Sequence, residues 1–232
     1  MEAQKQPDRR WIILAVFAVL AAVVIGAILI SRAGGDDDGD TTSAAAGGAT
    51  GGCEKVEAPA PKDVSFDKPD QVVEKGEEVS AVVETSCGSF TIALDTERAP
   101  KTSNSFAFLA EEGFYDETTF HRIVPEFVIQ GGDPEGTGAG GPGYSVVEAP
   151  PSDLEYTKGI VAMAKTETEA PGTSGSQFYV VTGANVGLPA EYALLGEVTE
   201  GYPTVEKIEK QAGEGEQPKQ TILIESIKIE RE

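Results

Sequence analysis

Apolar and polar positions alternate with a period of about two along much of residues 79–229, as in strands that bury one face in a sheet. Two such runs, 79–85 and 90–95, flank Ser86-Cys87-Gly88 and predict a hairpin that opens the sheet. The alternation slips near Glu225 and Ser226, which predicts a β-bulge in the last strand. The other predicted strands are 120–124, 127–130, 160–164, 177–182, 193–198 and 221–229.

Helical spacing is confined to two segments of the same region. Residues 101–112 follow Pro100 and place Phe106 and Leu109 on one face, and Gly113 supplies a stop signal. Residues 202–212 predict a second helix with Val205 and Ile208 facing inward. Many short strands and only two helices predict a mainly β protein with a closed antiparallel barrel, since closure removes exposed strand edges.

Before the predicted barrel, residues 11–30 (WIILAVFAVLAAVVIGAILI) form an uninterrupted apolar run without a charge. A transmembrane helix needs about 20 such residues, whereas the apolar region of a signal peptide has about 7–15. Basic residues precede the run and four aspartates follow it, so we expect residues 1–10 to be cytoplasmic. The sequence predicts a single-pass cell-membrane protein whose folded part lies outside the cytoplasm; a cleaved signal peptide is the alternative.

The segment between the apolar run and the barrel divides into two parts. Residues 31–52 consist mainly of Gly, Ala, Ser, Thr and Asp and predict a flexible acidic linker. Residues 53–78 show no sustained period, and they either wrap the domain of residues 79–232 or continue the linker. Cys53 and Cys87 are the two cysteines of the chain, and on the outer side of a membrane we expect them to form a disulfide.

The formal net charge of −21 argues against nucleic acid as a partner, because phosphate recognition needs a basic surface. We expect a monomer that meets the membrane only through its N-terminal helix.

The stretch 120–144, FHRIVPEFVIQGGDPEGTGAGGPGY, places Arg122, an apolar turn and Gln130 before a glycine-rich loop. It closely resembles the signature of the cyclophilin family of peptidyl-prolyl isomerases, and GIVAMA at 159–164 and GSQFY at 175–179 continue the resemblance in the family's order. The resemblance implies an eight-stranded cyclophilin barrel capped by two helices. It also implies catalytic roles for Arg122, Phe127 and Gln130. The implied substrate contacts are Val128, Tyr179, Leu188 and Tyr192, together with the backbone of Ala164 and Lys165.

Other chemistry has little support in the residues. Gly136, Gly138 and Gly141 satisfy G-x-G-x-x-G, but Pro142 follows and no helix begins there, which argues against a dinucleotide site. His121 is the only histidine, so a catalytic triad or a three-histidine zinc site is excluded, and we expect no metal and no cofactor. Alternation along the strand places His121 opposite Arg122 and favours a structural role for it.

Rotation about an X–Pro bond needs neither a nucleophile nor a cofactor, and its substrates are proline-containing polypeptides. Arg122 is expected to stabilise the twisted bond over an apolar proline pocket and so to assist the folding of exported or cell-surface proteins. A non-catalytic peptide-binding or chaperone module and a purely structural envelope domain are the alternatives. Gly187 takes the place of a tryptophan that cyclosporin binding in the family depends on, so weak cyclosporin binding is expected.

Overall fold

The computed structural model describes residues 52–231. The predicted cytoplasmic segment, membrane helix and nearly all of the linker lie outside the described residues. Within residues 52–231, no helix combines the length and the apolar character that crossing a membrane requires.

The described part of the chain is mainly β, as the alternation predicted. The strands are β1 (Val79–Thr85), β2 (Gly88–Leu94), β3 (Thr118–Val124), β4 (Val128–Asp133), β5 (Val146–Val147), β6 (Ile160–Met163), β7 (Thr173–Ser174), β8 (Phe178–Val181), β9 (Leu194–Glu200) and β10 (Leu223–Arg231). Eight of them close into a barrel in the order β1-β10-β3-β4-β8-β6-β9-β2, which confirms the predicted fold class. The short strands β5 and β7 pair with each other and were not predicted.

Two helices accompany the barrel. Helix α1 (Pro100–Glu111) begins with proline, whose fixed φ suits the first turn of a helix. It buries Phe106 and Leu109, which belong to the same apolar core as the inward side chains of the strands. Helix α2 (Tyr202–Glu209) buries Val205 and Ile208 as predicted, but it ends three residues before the predicted end at 212.

The predicted bulge in the last strand is confirmed. Glu84 pairs with Ser226 and Thr85 with Ile224, which leaves Glu225 as the extra residue of β10. Because an extra residue shifts the phase of alternation, Ile224 and Ile227 are both buried although they are three positions apart.

Residues 53–78, hereafter the extension, lie against the barrel domain. A disulfide joins Cys53 to Cys87 between β1 and β2. Farther along, the Lys62 ammonium donates hydrogen bonds of 3.0, 3.0 and 2.8 Å to the carbonyls of Gly113, Phe114 and Asp116, just after α1. Burial lowers the pKa of Lys62, and the Asp116 carboxylate opposes this effect. The extension is therefore part of the folded domain.

The extension also contacts the glycine-rich loop at residues 134–143. The Lys62 N–H donates to the carbonyl of Pro134 at 2.9 Å, and the Phe66 N–H donates to that of Pro142 at 2.8 Å. The Phe66 ring packs edge-on against Phe108 of α1, with centroids 5.2 Å apart. These contacts fix both ends of the loop from one side.

Candidate active site

A bulge in β3 directs Arg122 out of the barrel. Phe120 pairs with Gly131 and Arg122 with Gln130, so His121 is the extra residue. Strict alternation would place Arg122 on the same face as the buried Phe120. With the extra residue, Phe120 and Ile123 face the core and Arg122 remains partly exposed. Simple alternation predicted that His121 and Arg122 lie on opposite faces of β3. This prediction is wrong, because the strand is not regular at this point.

The Arg122 guanidinium is held by three neighbours. Its Nε donates to the Glu216 carboxylate at 2.7 Å, and one terminal nitrogen donates to the Gln130 side-chain oxygen at 3.4 Å. Its central carbon lies 5.8 Å from the centroid of the Phe127 ring. The three residues with predicted catalytic roles therefore lie together. Glu216 was not predicted, since it is 94 residues from Arg122 in the sequence.

Gln130 connects Arg122 to the glycine-rich loop. Its side-chain nitrogen donates to the Gln177 side-chain oxygen at 3.0 Å, and the Gln177 amide donates to the carbonyl of Gly140 at 2.9 Å. An unbroken series of side-chain amides thus runs from the guanidinium to the loop. The series fixes the orientation of both side-chain amides, because in each the oxygen accepts one hydrogen bond and the nitrogen donates another.

An apolar cluster lies beside Arg122, on the outer side of β4. Ile129 points into the barrel core, whereas Val128 belongs to a second cluster, because successive side chains of a strand alternate. The buried members of this second cluster are Val128, Tyr156, Ala162, Tyr179 and Val181, and its partly buried members include Phe127, Ala164, Leu188 and Tyr192. Most of the predicted substrate contacts thus fall in one apolar surface next to the guanidinium.

Three tyrosines form one wall of the second cluster. The Tyr156 hydroxyl donates to the carbonyl of Tyr192 at 2.7 Å and accepts the Tyr192 N–H at 3.0 Å. The Tyr179 and Tyr192 rings meet edge-on with centroids 5.8 Å apart. Burial raises the pKa of Tyr156 to about 12 and raises the pKa of Tyr179 still further. Tyr156 belongs to no motif, so no local pattern in the sequence identifies it.

The Tyr179 hydroxyl is buried and has no hydrogen-bond partner among the described residues. A buried donor without a partner costs about 1–3 kcal/mol, so this hydroxyl is a local weakness in an otherwise apolar wall.

The Lys165 side chain folds back toward the residues that follow it in the sequence. Its ammonium turns back to the carbonyls of Thr166 and Glu169 at 3.2 and 3.3 Å, and it lies 5.4 Å from the centroid of the Tyr192 ring. The neighbouring Ala164 N–H donates to the carbonyl of Gln177 at 2.9 Å, which commits that donor to the fold. At these two positions, therefore, neither the Ala164 N–H nor the Lys165 ammonium is available as a free donor to a peptide.

A cleft of about 590 Å³ continues from Gln130 between the glycine-rich loop and the Ala164–Lys165 segment. Glu135, Glu169 and Gln177 are among the residues that line it. Ala164 lines this cleft and also belongs to the apolar cluster, so the two features adjoin.

His121, the extra residue of the β3 bulge, lies near the glycine-rich loop. Neither of its ring nitrogens has a hydrogen-bond partner among the described residues, and burial lowers its pKa. It approaches Gly138 of the loop, where an added Cβ would lie 3.8 Å from Nε2. These contacts give His121 a packing role beneath the loop.

The chain is similar to known proteins in sequence and in fold. A family model described as cyclophilin type peptidyl-prolyl cis-trans isomerase/CLD matches residues 80–229. Peptidyl-prolyl cis-trans isomerase A of Mycobacterium tuberculosis is 38% identical over 169 residues, or 65% of this chain and 91% of that protein. Peptidyl-prolyl cis-trans isomerase-like 1 of Neurospora crassa is 40% identical over 130 residues, or 54% of this chain and 78% of that protein.

A solved structure agrees with these sequence matches. The crystal structure of a Cryptosporidium parvum cyclophilin type peptidyl-prolyl cis-trans isomerase, in the presence of the dipeptide ala-pro, matches with a TM-score of 0.62 and 31% identity. The match covers 66% of this chain and 99% of that one. The chain thus belongs to the cyclophilin-type family. It is a peptidyl-prolyl cis-trans isomerase.

Proposed function

We propose that this isomerase is anchored to the cell membrane by residues 11–30 and acts outside the cytoplasm on proline-containing segments of exported or cell-surface proteins. Arg122 stabilises the twisted X–Pro bond. Phe127, Val128, Tyr179 and Leu188 hold the proline ring, and Gln130 binds the peptide backbone.

The chemical step consists of rotation alone. The planar X–Pro bond has a barrier of about 18–20 kcal/mol because of amide resonance, and twisting the bond breaks this resonance. The prolyl nitrogen then becomes pyramidal and gains a lone pair that accepts a hydrogen bond. A guanidinium donor at this nitrogen binds the twisted state more strongly than the planar state, and each ~1.4 kcal/mol of this difference accelerates exchange tenfold.

The observation that carries this proposal is the outward position of Arg122 above Phe127 and beside Gln130. Two of its three nitrogens have protein partners, Glu216 and Gln130, and the second terminal nitrogen has none among the described residues. A guanidinium, which is rich in N–H donors, thereby lies beside the apolar cluster that accepts a proline ring in this proposal. Binding a peptide without turnover does not require such a donor.

The apolar cluster holds the proline ring while the part of the peptide on the other side of the X–Pro bond rotates. Val128 and Tyr179 are almost completely buried and form a rigid floor, whereas Phe127 and Leu188 are only partly buried and border it. Fixing one side of the bond is necessary, because an enzyme that let both sides rotate together would not twist the bond.

Location outside the cytoplasm is supported by the charge pattern around residues 11–30 and by the Cys53–Cys87 disulfide. Disulfides persist in oxidising compartments and are rare in the cytosol. Protease added to intact cells should remove the domain and leave a small membrane-bound fragment. Release of a mature domain into the medium would instead favour a cleaved signal peptide.

The isomerisation itself is tested on an X–Pro peptide with the full chain and with Arg122→Ala. We expect a large loss of rate in the variant at unchanged peptide affinity. Equal rates for the two proteins would exclude the role of Arg122, and peptide binding without turnover in both would favour the chaperone alternative.

A further inference from the structure

Glu216 lies in a short turn that presents its carboxylate to Arg122. The turn is a single 3-10 element, Glu214–Glu216, between α2 and β10. It is closed by two backbone hydrogen bonds of 2.7 Å, from the Gly213 N–H to Gln217 and from the Lys219 N–H to Gln211. A closed turn of this kind has few alternative positions, so the location of Glu216 is set by the fold.

The backbone of Glu216 is itself unusual. Its φ is +67°, in the left-handed region that residues with a Cβ rarely occupy. Such conformations persist where the surrounding structure enforces them, and they concentrate at functional sites. Here the left-handed residue is the one whose carboxylate meets the guanidinium.

The ion pair determines which edge of the guanidinium remains available. An arginine carries five N–H donors in a fixed plane. Glu216 accepts from Nε and Gln130 accepts from one terminal nitrogen, so the plane is constrained at two corners. The remaining corner carries the donors that, in the proposed function, reach the prolyl nitrogen.

We infer that Glu216 is a positioning residue for catalysis, which fixes the rotamer of Arg122 so that its free terminal nitrogen points at the twisted X–Pro bond. This inference rests on the proposed role of Arg122. The side chains of Arg122 and Glu216 are 25% and 45% exposed, so solvent weakens the attraction between their charges. The contribution of Glu216 is therefore to orientation, since a long arginine side chain otherwise samples several rotamers.

The first test compares four forms of the full chain in the isomerisation assay: wild type, Glu216→Ala, Glu216→Gln and Glu214→Ala. Glu214→Ala is the matched control, because it removes the same charge from the same turn at an exposed residue that makes no hydrogen bond or ion pair to Arg122. We expect Glu216→Ala to lower kcat/KM about fivefold, mostly through kcat, on the scale of an exposed ion pair. Glu216→Gln, which keeps an acceptor oxygen, should recover most of the rate.

The second test asks whether the effect passes through Arg122. In an Arg122→Ala background, Glu216→Ala should cause no further loss, because the two residues act as one unit. In nitrogen-15 spectra of wild type, the Arg122 Nε–H signal should be sharp and slow to exchange with water. It should broaden in Glu216→Ala but not in Glu214→Ala.

Several outcomes would overturn the inference. The inference fails if Glu216→Ala is as fast as wild type or faster, or if Glu214→Ala loses as much rate as Glu216→Ala. It also fails if the losses add in the double variant. Failure of the proposed function has a different signature, namely full activity in Arg122→Ala.

Discussion

Arg122 and Gln130 are paired twice, once through the register of β3 with β4 and once through a side-chain hydrogen bond of 3.4 Å. The strand pairing fixes the distance between their Cα atoms, so neither side chain has to be brought in by a flexible loop. Catalytic groups carried on paired strands are held more precisely than groups on loops.

Replacing Arg122 with alanine should lower kcat/KM about 100-fold, the scale for losing a donor used mainly in the transition state. The free energy of unfolding should change little, because the guanidinium is partly exposed and lies outside the barrel core. Steady-state assays and denaturant melts measure the two quantities. Arg98→Ala, which removes a surface ion pair with Asp95, is the control and should retain the full rate.

The tyrosines predict how stability depends on pH. Burial raises the pKa of Tyr115, Tyr156, Tyr179 and Tyr202. A raised pKa means that the folded state keeps its proton where the unfolded state has lost it. The contribution of these tyrosines to the free energy of unfolding is therefore complete below pH 10, which is the tyrosine pKa in the unfolded chain. For Tyr156 and Tyr202 it is lost as pH rises through about 12.

Tyr179→Phe isolates one member of this group. Removing the unpartnered hydroxyl should raise the free energy of unfolding at pH 7 by about 1 kcal/mol. It should also reduce the loss of stability above pH 10, because one titrating group is gone. Denaturant melts from pH 7 to 12 test both points, and a variant less stable than wild type at pH 7 would show that the hydroxyl has a partner in solution.

The disulfide should stabilise the domain by lowering the conformational entropy of the unfolded chain. Cys53 and Cys87 are 34 residues apart, and closing a loop of this length contributes about 4 kcal/mol in the chain-entropy account. The double variant Cys53→Ser/Cys87→Ser should unfold at correspondingly lower denaturant concentration while keeping its activity in water. Wild type measured with a reducing agent should match the double variant, and a difference between them would point to an effect of the serines.

Cyclosporin should bind this isomerase about 100-fold more weakly than it binds relatives that carry tryptophan at the position of Gly187. The structure adds that a Cβ at Gly187 would meet nothing within 4 Å apart from the adjacent residues, so the position itself is open. The φ of Gly187 is +63°, and a tryptophan there would be strained by about 1–2 kcal/mol. Gly187→Trp should therefore restore only part of the affinity, as measured by calorimetry or inhibition. Nanomolar inhibition of the unmodified protein would contradict this prediction.

The barrel was predictable from the sequence because strands such as β1 and β2 bury every second side chain and so carry a period of two, whereas β8 is buried along its whole length and shows as a short apolar run. Strands β5 and β7 were missed because two residues are too few to show a period. The bulge at His121 was missed for a different reason, since Phe-His-Arg-Ile reads as a regular strand and only the pairing with β4 reveals the extra residue.

The site was predictable only in part. Arg122, Phe127 and Gln130 are close in sequence and belong to one motif, so their proximity follows from two adjacent strands. Glu216 and Tyr156 reach the site through long-range packing, and no local pattern distinguishes Glu216 from the other glutamates of an acidic chain. The turned-back side chain of Lys165 depends on carbonyls of a loop whose conformation has no sequence period.

The position of the disulfide at the start of the extension has a mechanical consequence. Cys53 is among the first described residues, and its bond leads directly to Cys87 at the turn between β1 and β2. A force applied to the chain on the N-terminal side of Cys53 therefore passes through a covalent bond into the barrel. The hydrogen bonds that Lys62 and Phe66 make to the glycine-rich loop lie beyond this bond and carry none of the load. A pull on the chain before Cys53 would thus leave the glycine-rich loop in place.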